Sequence, residues 1–108
     1  MPRKSTLNVA VIGAGAIGLD HIGSFQKHPW AGVVAVAENN PERGRDAVER
    51  FNVPSMVPDY KHVLARDDID IVSIALPTYL HASVALEALK AGKHVMIDKP
   101  IATSAQDA

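Results

Sequence analysis

The sequence predicts an α/β domain: a doubly wound parallel sheet of about five strands with helices on both faces. Three observations predict it. Short apolar runs alternate with amphipathic stretches of helical length, the pattern of strands buried on both faces and joined by crossover helices. Proline, glycine and asparagine fall at the seams between them. At the first seam the apolar run from Leu7 to Ile12 passes directly into Gly13-x-Gly15-x-x-Gly18.

The first strand spans about Asn8 to Ile12 and the first helix about Ala16 to Lys27, with Gly18, Ile22 and Phe25 facing the sheet. His28-Pro29 ends that helix, because a proline there cannot donate to the helical ladder. Val33 to Ala37, almost wholly apolar, is the second strand. Asn40 then caps a helix with Pro41 at its first position. It runs to about Phe51 with Ala47, Val48 and Phe51 inward, until Asn52-Val53-Pro54 breaks it. Residues 55 to 68 are the least regular, with a short strand near Met56-Val57 and a helical turn from Asp59 to Ala65. Ile69 to Leu76 is a buried strand stopped by Pro77. Thr78 caps a helix to Ala91, whose inward stripe is read as Ala82, Ala85, Leu86 and Leu89 at i, i+3, i+4, i+7. Gly92 stops it, and His94 to Ile97 is the fifth strand, ending at Asp98-Lys99-Pro100. Ser104 and Asp107 form a capping box, so the sheet is expected to be truncated at the start of the next helix.

Composition narrows the functional classes. At 108 residues the chain is one domain, large enough to bury a core. Eleven basic and twelve acidic residues give a net charge of −1, and no basic block suggests nucleic acid. With no cysteine there are no disulfides and no thiolate metal sites. His28, His62 and His94 lack metal-ligand spacing, so no metal is expected. Arg3-Lys4 before the apolar stretch from Leu7 to Leu19 imitates a signal peptide, but its spaced glycines and the following Asp20-His21 argue for a cytoplasmic protein. No run approaches the ~20 apolar residues needed to cross a bilayer, so no membrane partner is expected.

The chemistry is expected beyond the carboxyl ends of the strands. Gly13 allows a tight turn, Gly15 lets the backbone approach a pyrophosphate, and Gly18 lets helix and strand pack closely. The free N–H groups of the helix start, from Gly15 through Ala16, Ile17 and Gly18, and its positive dipole end then face the phosphates. Twenty residues after Gly18 comes Glu38, where a carboxylate can accept from a ribose hydroxyl. That carboxylate favours NAD, since it would repel a 2′-phosphate. Asn39, Asn40 and Arg43 could together accommodate that phosphate, which keeps NADP as the alternative, and Arg43 reads equally as a solvated helix face. Pro77, Tyr79 and His81 follow strand four, and His21 sits near the phosphate-facing helix. Lys99 follows strand five, where a partly desolvated ammonium could transfer a proton or stabilise oxyanion charge. From spacing alone it reads also as a surface lysine at a strand end. Tyr79, bordering the expected cleft, and Trp30 are the aromatic candidates for stacking, although Trp30, beside a helix-ending proline, reads rather as loop packing.

V-A-V-I-G-A-G-A-I-G at 9 to 18, Glu38, P-T-Y-L-H at 77 to 81, A-L-K-A-G-K-H-V at 88 to 95 and D-K-P at 98 to 100 together resemble the Gfo/Idh/MocA oxidoreductases. The resemblance runs from about Asn8 to Ala105 and covers only that family's amino-terminal, NAD(P)-binding Rossmann domain. It implies that Lys99 takes the role of the family's E-K-P lysine, contacting a substrate hydroxyl, and that Pro77 and His81 line the nicotinamide side. Asp98 stands where the family usually has glutamate. The family's carboxy-terminal domain, with the rest of its catalytic set, most of its substrate pocket and its dimer surface, is expected to lie outside these 108 residues. The resemblance therefore implies the cofactor domain of an enzyme moving a hydride between a sugar- or polyol-like alcohol and nicotinamide. The isolated chain is expected to bind cofactor without turnover and to self-associate. Two other readings stand: a non-catalytic NAD-sensing or interaction module, and an NAD-dependent glycoside hydrolase of the same superfamily.

Overall fold

A computed structural model describes residues 7–76 and 78–97, with the backbone alone at 78 and 79. Its elements run β1 (Leu7–Ile12), α1 (Ala16–Gln26), β2 (Ala31–Ala37), α2 (Pro41–Phe51), β3 (Ser55–Val57), α3 (Tyr60–Leu64), β4 (Ile71–Ile74), α4 (Thr78–Lys90) and β5 (His94–Ile97). The strands form one sheet in the order β3-β2-β1-β4-β5, every pair parallel. The predicted fold class is the observed one. β4 is shorter than the apolar run that predicted it, and β2 starts two residues earlier.

Alternation along β1 sends side chains into two cores. Val9 and Val11 join Ile22 and Phe25 of α1 and Ala47 of α2 on one face. Ala10 and Ile12 join Val63 of α3 with Val84 and Ala88 of α4 on the other. β2 also feeds both cores, but not in strict register with β1. Its pairing with β1 slips between Val9 and Ala10, from Val33 to Ala35, leaving Val34 as the extra residue. That bulge puts Val33 and Ala35 in opposite cores although they are two apart.

Local chemistry sets the helix ends. The Asn40 side chain accepts from the Glu42 and Arg43 amides at 3.0 and 3.2 Å, so the predicted cap and Pro41 start α2 as expected. Asn52, left-handed at φ 56°, ends it. Of its predicted stripe, Ala47 is buried while Val48 and Phe51 pack at the core's edge, and buried Gly44 adds close contact with Met56 of β3. α1 turns Gly18, Ile22 and Phe25 inward, as predicted. Gly92, at φ +82°, follows α4.

The predicted stripe of α4 is corrected. His81, Val84 and Ala88 face the core, with Ala85 half-buried, while Ala82 is exposed and Leu86 and Leu89 are 53% and 59% exposed. This helix carries apolar residues around most of its circumference, so two stripes of the same period compete and periodicity does not fix the phase. The space above β4 and β5 takes the smaller set. Among the described residues no helix is long and apolar enough to cross a membrane.

Candidate functional site

The crossovers leaving β1 and β4 go to opposite faces, so a crevice opens at the carboxyl ends of these neighbours. The cleft there has a volume of about 370 Å³. Ile12 and Gly13 line it from β1, Ala37, Glu38 and Asn39 from the end of β2, Pro58, Asp59 and Tyr60 after β3, and Leu76 after β4.

The three motif glycines are there for different reasons. Gly13 sits at φ +102°, and a Cβ on it would lie 2.5 Å from the Ala75 carbonyl oxygen. A Cβ on Gly18 would overlap the Gly13 carbonyl, so the helix could not lie this close to the turn. Both glycines are demanded by the fold. Gly15 has an ordinary φ of −78° and a Cβ there would meet nothing within 4 Å. Neither backbone nor packing requires a glycine at that position. The bare backbone faces open space, as a bound group approaching the chain would need.

Gly15 is also the N-cap of α1, where no side chain caps the helix and no acidic residue occupies the first turn. The amides of Ala16, Ile17 and Gly18 lie at the positive end of the helix dipole and are suited to an anion. Glu38 stands on the other side of the turn. Its Oε1 accepts from the Ala14 amide at 2.7 Å and its Oε2 from the Asn40 amide at 2.9 Å. Each carboxylate oxygen keeps a lone pair for a hydroxyl donor. The half-buried carboxylate thus fastens the glycine turn to the β2–α2 turn and still offers two acceptors to the cleft.

The structure brings Gly13, Glu38 and Asn39 together in the cleft. The Asn40 side chain is occupied as a helix cap. Arg43 is exposed on α2 and is not among the described lining residues. His81 is only 6% exposed and also lines no part of the cleft. Its Nε2 lies 2.7 Å from the Leu76 carbonyl. A carbonyl only accepts, so the ring carries its proton on Nε2. Nδ1 is buried without a hydrogen-bond partner among the described residues, which costs about 1–3 kcal/mol relative to a satisfied acceptor. Pro77, Lys99 and the Tyr79 side chain, like Thr78 as a cap and the Ser104–Asp107 box, lie outside the described residues.

Sequence reasoning missed the wall made by Pro58, Asp59 and Tyr60. The strand-end rule that found Glu38 would have found it too, had it been applied to the end of β3. Asp59 caps α3 by accepting from the Lys61 amide at 2.9 Å. The Tyr60 hydroxyl donates to Glu87 Oε2 at 2.8 Å, and that bond, then burial, pushes the phenol's pKa up.

A larger groove of about 460 Å³ lies between α1 and β5, where His21 Nδ1 and Ser73 Oγ share a 2.7 Å hydrogen bond beside Phe25, Trp30 and Met96. It shares no lining residue with the cleft and includes none of the motif glycines. Trp30, 45% exposed, packs against His28 with ring centroids 5.0 Å apart and the ring planes tilted by 32°. Among the described residues no three His, Asp or Glu side chains converge as a metal site.

Residues 7–108 match the model of an oxidoreductase family with an NAD-binding Rossmann fold, GFO_IDH_MocA. The levoglucosan dehydrogenase of Pseudarthrobacter phenanthrenivorans is 34% identical over 109 residues, which cover 94% of this chain and 28% of that protein. A structure of levoglucosan dehydrogenase in complex with NADH and L-sorbose superposes with a TM-score of 0.83 at 34% identity, over 89% of this chain and 28% of that one. A variant 3-ketoreductase from Actinomadura kijaniata, in complex with TDP-benzene and NADP, superposes with a TM-score of 0.81 at 34% identity, over 88% and 30%. The chain therefore spans less than a third of the length of these relatives.

Proposed function

This chain belongs to the Gfo/Idh/MocA oxidoreductase family with its NAD-binding Rossmann fold, and from that premise we propose that it is the cofactor cradle of a dehydrogenase acting on a sugar- or polyol-like alcohol. The carrying observation is Gly15, a glycine required by neither conformation nor packing, beside a carboxylate that is fastened to the same turn. The amides from Gly15 to Gly18 take the pyrophosphate, with Ala16 and Ile17 in the first turn. Glu38 accepts from the adenosine ribose and Asn39 borders it. When bound, the nicotinamide supplies the hydride acceptor or donor.

Lys99 is the proposed catalytic residue, holding and moving the proton of the substrate hydroxyl, and Pro77 and His81 belong to the segment walling the nicotinamide side. The remaining substrate contacts would be made by the part of these relatives' length that this chain does not cover. The 108-residue chain binds dinucleotide without turnover; reduction of NAD with any polyol by this chain alone would overturn that statement. A reducing, cytoplasmic setting accords with the absence of cysteine.

Glu38 makes NAD the preferred cofactor, with Arg43 as the residue through which NADP could still be taken. Calorimetric titration of both cofactors against the wild-type chain and Glu38→Gln tests this. The wild type should bind NAD more tightly than NADP. The variant should lose roughly tenfold in NAD affinity and narrow the gap. Tighter binding of NADP by the wild type sinks the assignment of Glu38.

A further inference from the structure

We propose, on the reading that the cleft holds a dinucleotide, that His81 is a positioning residue: its Nε2–H holds the Leu76 carbonyl and so fixes the β4–α4 turn against the Gly13 turn. The first ground is the imidazole itself. It is buried, with one nitrogen bonded and the other without a partner among the described residues. An apolar side chain would fill that space with no orphaned acceptor. The group that distinguishes histidine here is the Nε2 donor, and it is spent on a carbonyl five residues back. Between the two stands Pro77, which has no N–H to offer its own turn.

The second ground is what the held turn touches. Leu76 lines the cleft together with Gly13 and Glu38. The Ala75 amide donates to the Ile12 carbonyl at 2.8 Å, and the site where a Gly13 Cβ would stand is 2.5 Å from Ala75 O and 3.4 Å from Leu76 Cδ2. At Ala75 the two turns meet backbone against backbone, with the Leu76 side chain packed beside that contact. The Gly13 amide in turn donates to the Ala37 carbonyl at 2.8 Å, and the next amide, Ala14, is the one held by Glu38. Displacing the Leu76 carbonyl therefore displaces the turn on which both the pyrophosphate amides and the ribose carboxylate depend. His81 acts through Leu76 and Gly13 rather than by touching the ligand.

The test compares His81→Leu and His81→Gln with the wild-type chain, reading NADH affinity by calorimetry and amide exchange by NMR, with far-UV circular dichroism to establish folding. His81→Leu should weaken NADH binding roughly three- to tenfold, the loss of one net hydrogen bond. It should also speed exchange at Gly13 and Ala14, with or without NADH, while leaving the Glu38 amide, bonded to Val57, unchanged. His81→Gln, whose amide can donate over a similar reach, should stay near wild type in both measurements. A leucine variant matching wild type, or a glutamine variant as impaired as leucine, overturns the proposal. Should His81→Leu fail to fold, His81→Asn, too short to reach the carbonyl, carries the same expectations. If the wild-type chain does not bind NADH, it is the proposed function that fails, and exchange at Gly13 and Ala14 still decides the role of His81.

Discussion

The two wings of the sheet are finished to different degrees. In the wing of β1, β2 and β3, α1 and α2 cover one face and α3 lies on the other, and the last four residues of β1 are fully buried. In the wing of β4 and β5, among the described residues, α4 covers one face, and α1 reaches Ile71 and Ser73 of β4 on the other. β5 alternates exposed and half-buried residues, with Met96 50% exposed on the side away from α4, and α4 itself turns Leu86 and Leu89 outward. Both wings obey the same rules of strand pairing. The difference is one of degree: the first wing leaves Leu7, Ile17, Trp30 and Met56 exposed singly at 38–50%, while the second exposes Leu86 and Leu89 together on one helix at 53% and 59%.

The glycine turn belongs to the first wing, and it offers the largest way to break the contrast. Gly18→Ala would drive a Cβ into the Gly13 carbonyl, a backbone atom that cannot swing aside. We expect a loss of about 3 kcal/mol or more in urea denaturation. Gly15→Ala should change stability by no more than about 1 kcal/mol, because its Cβ meets nothing and its φ is ordinary. The same substitution should cost roughly tenfold or more in NADH affinity. A Gly18→Ala chain that melts like wild type would show that the first wing is not packed this tightly. Wild-type binding by Gly15→Ala would show that the middle glycine does not serve the ligand.

What the sequence could show follows a different division, between features tied to an element's end and features set by packing between elements. Gly13, Gly18, Glu38 and the Asn40 cap were legible because each does a job fixed by backbone geometry at a known offset from an element's end. The phase of α4 was not, because Leu86 and Leu89 satisfy helical period as well as Val84 and Ala88 do, and only the sheet beneath decides between them. The bulge at Val34 was invisible for a similar reason: a run of Val and Ala carries no mark of where register slips. His81 was legible as a residue near the cleft, yet its hold on Leu76 depends on a turn whose shape no spacing encodes.

A smaller effect separates the two faces of α4. Val84→Ala, in the core, should cost about 2 kcal/mol. Leu86→Gln and Leu89→Gln, on the exposed face, should each stay within about 0.5 kcal/mol of wild type. Sedimentation velocity at high concentration should nevertheless show the wild-type chain self-associating and the double glutamine variant a monomer. A monomeric wild type would break the view that the second wing offers its apolar surface.

The smallest expected effect lies at the opposite end of the strands, where the two wings are tied together. Arg66 clamps Asp68 through two bonds, Nε to Oδ1 at 2.9 Å and a terminal nitrogen to Oδ2 at 2.8 Å, and reaches Ser55 Oγ of β3 at 3.0 Å. The buried Lys93, just before β5, donates to the Arg66 carbonyl, and the Asp68 carbonyl accepts from the Asn8 side chain of β1 at 2.7 Å. The guanidinium bonds hold the Asp68 carboxyl below its ordinary value of 3.8. A carboxyl depressed in the folded state stabilises the fold above its unfolded pKa, and that contribution is lost as pH falls through the folded value. The pair is solvent-exposed, so its share is small and screened by salt. Thermal melts should fall shallowly below about pH 4 in the wild type, less so with added salt, and Asp68→Asn should lack that component of the fall. Identical acid profiles for the two chains would show that the clamp only marks where the wings meet and does not hold them.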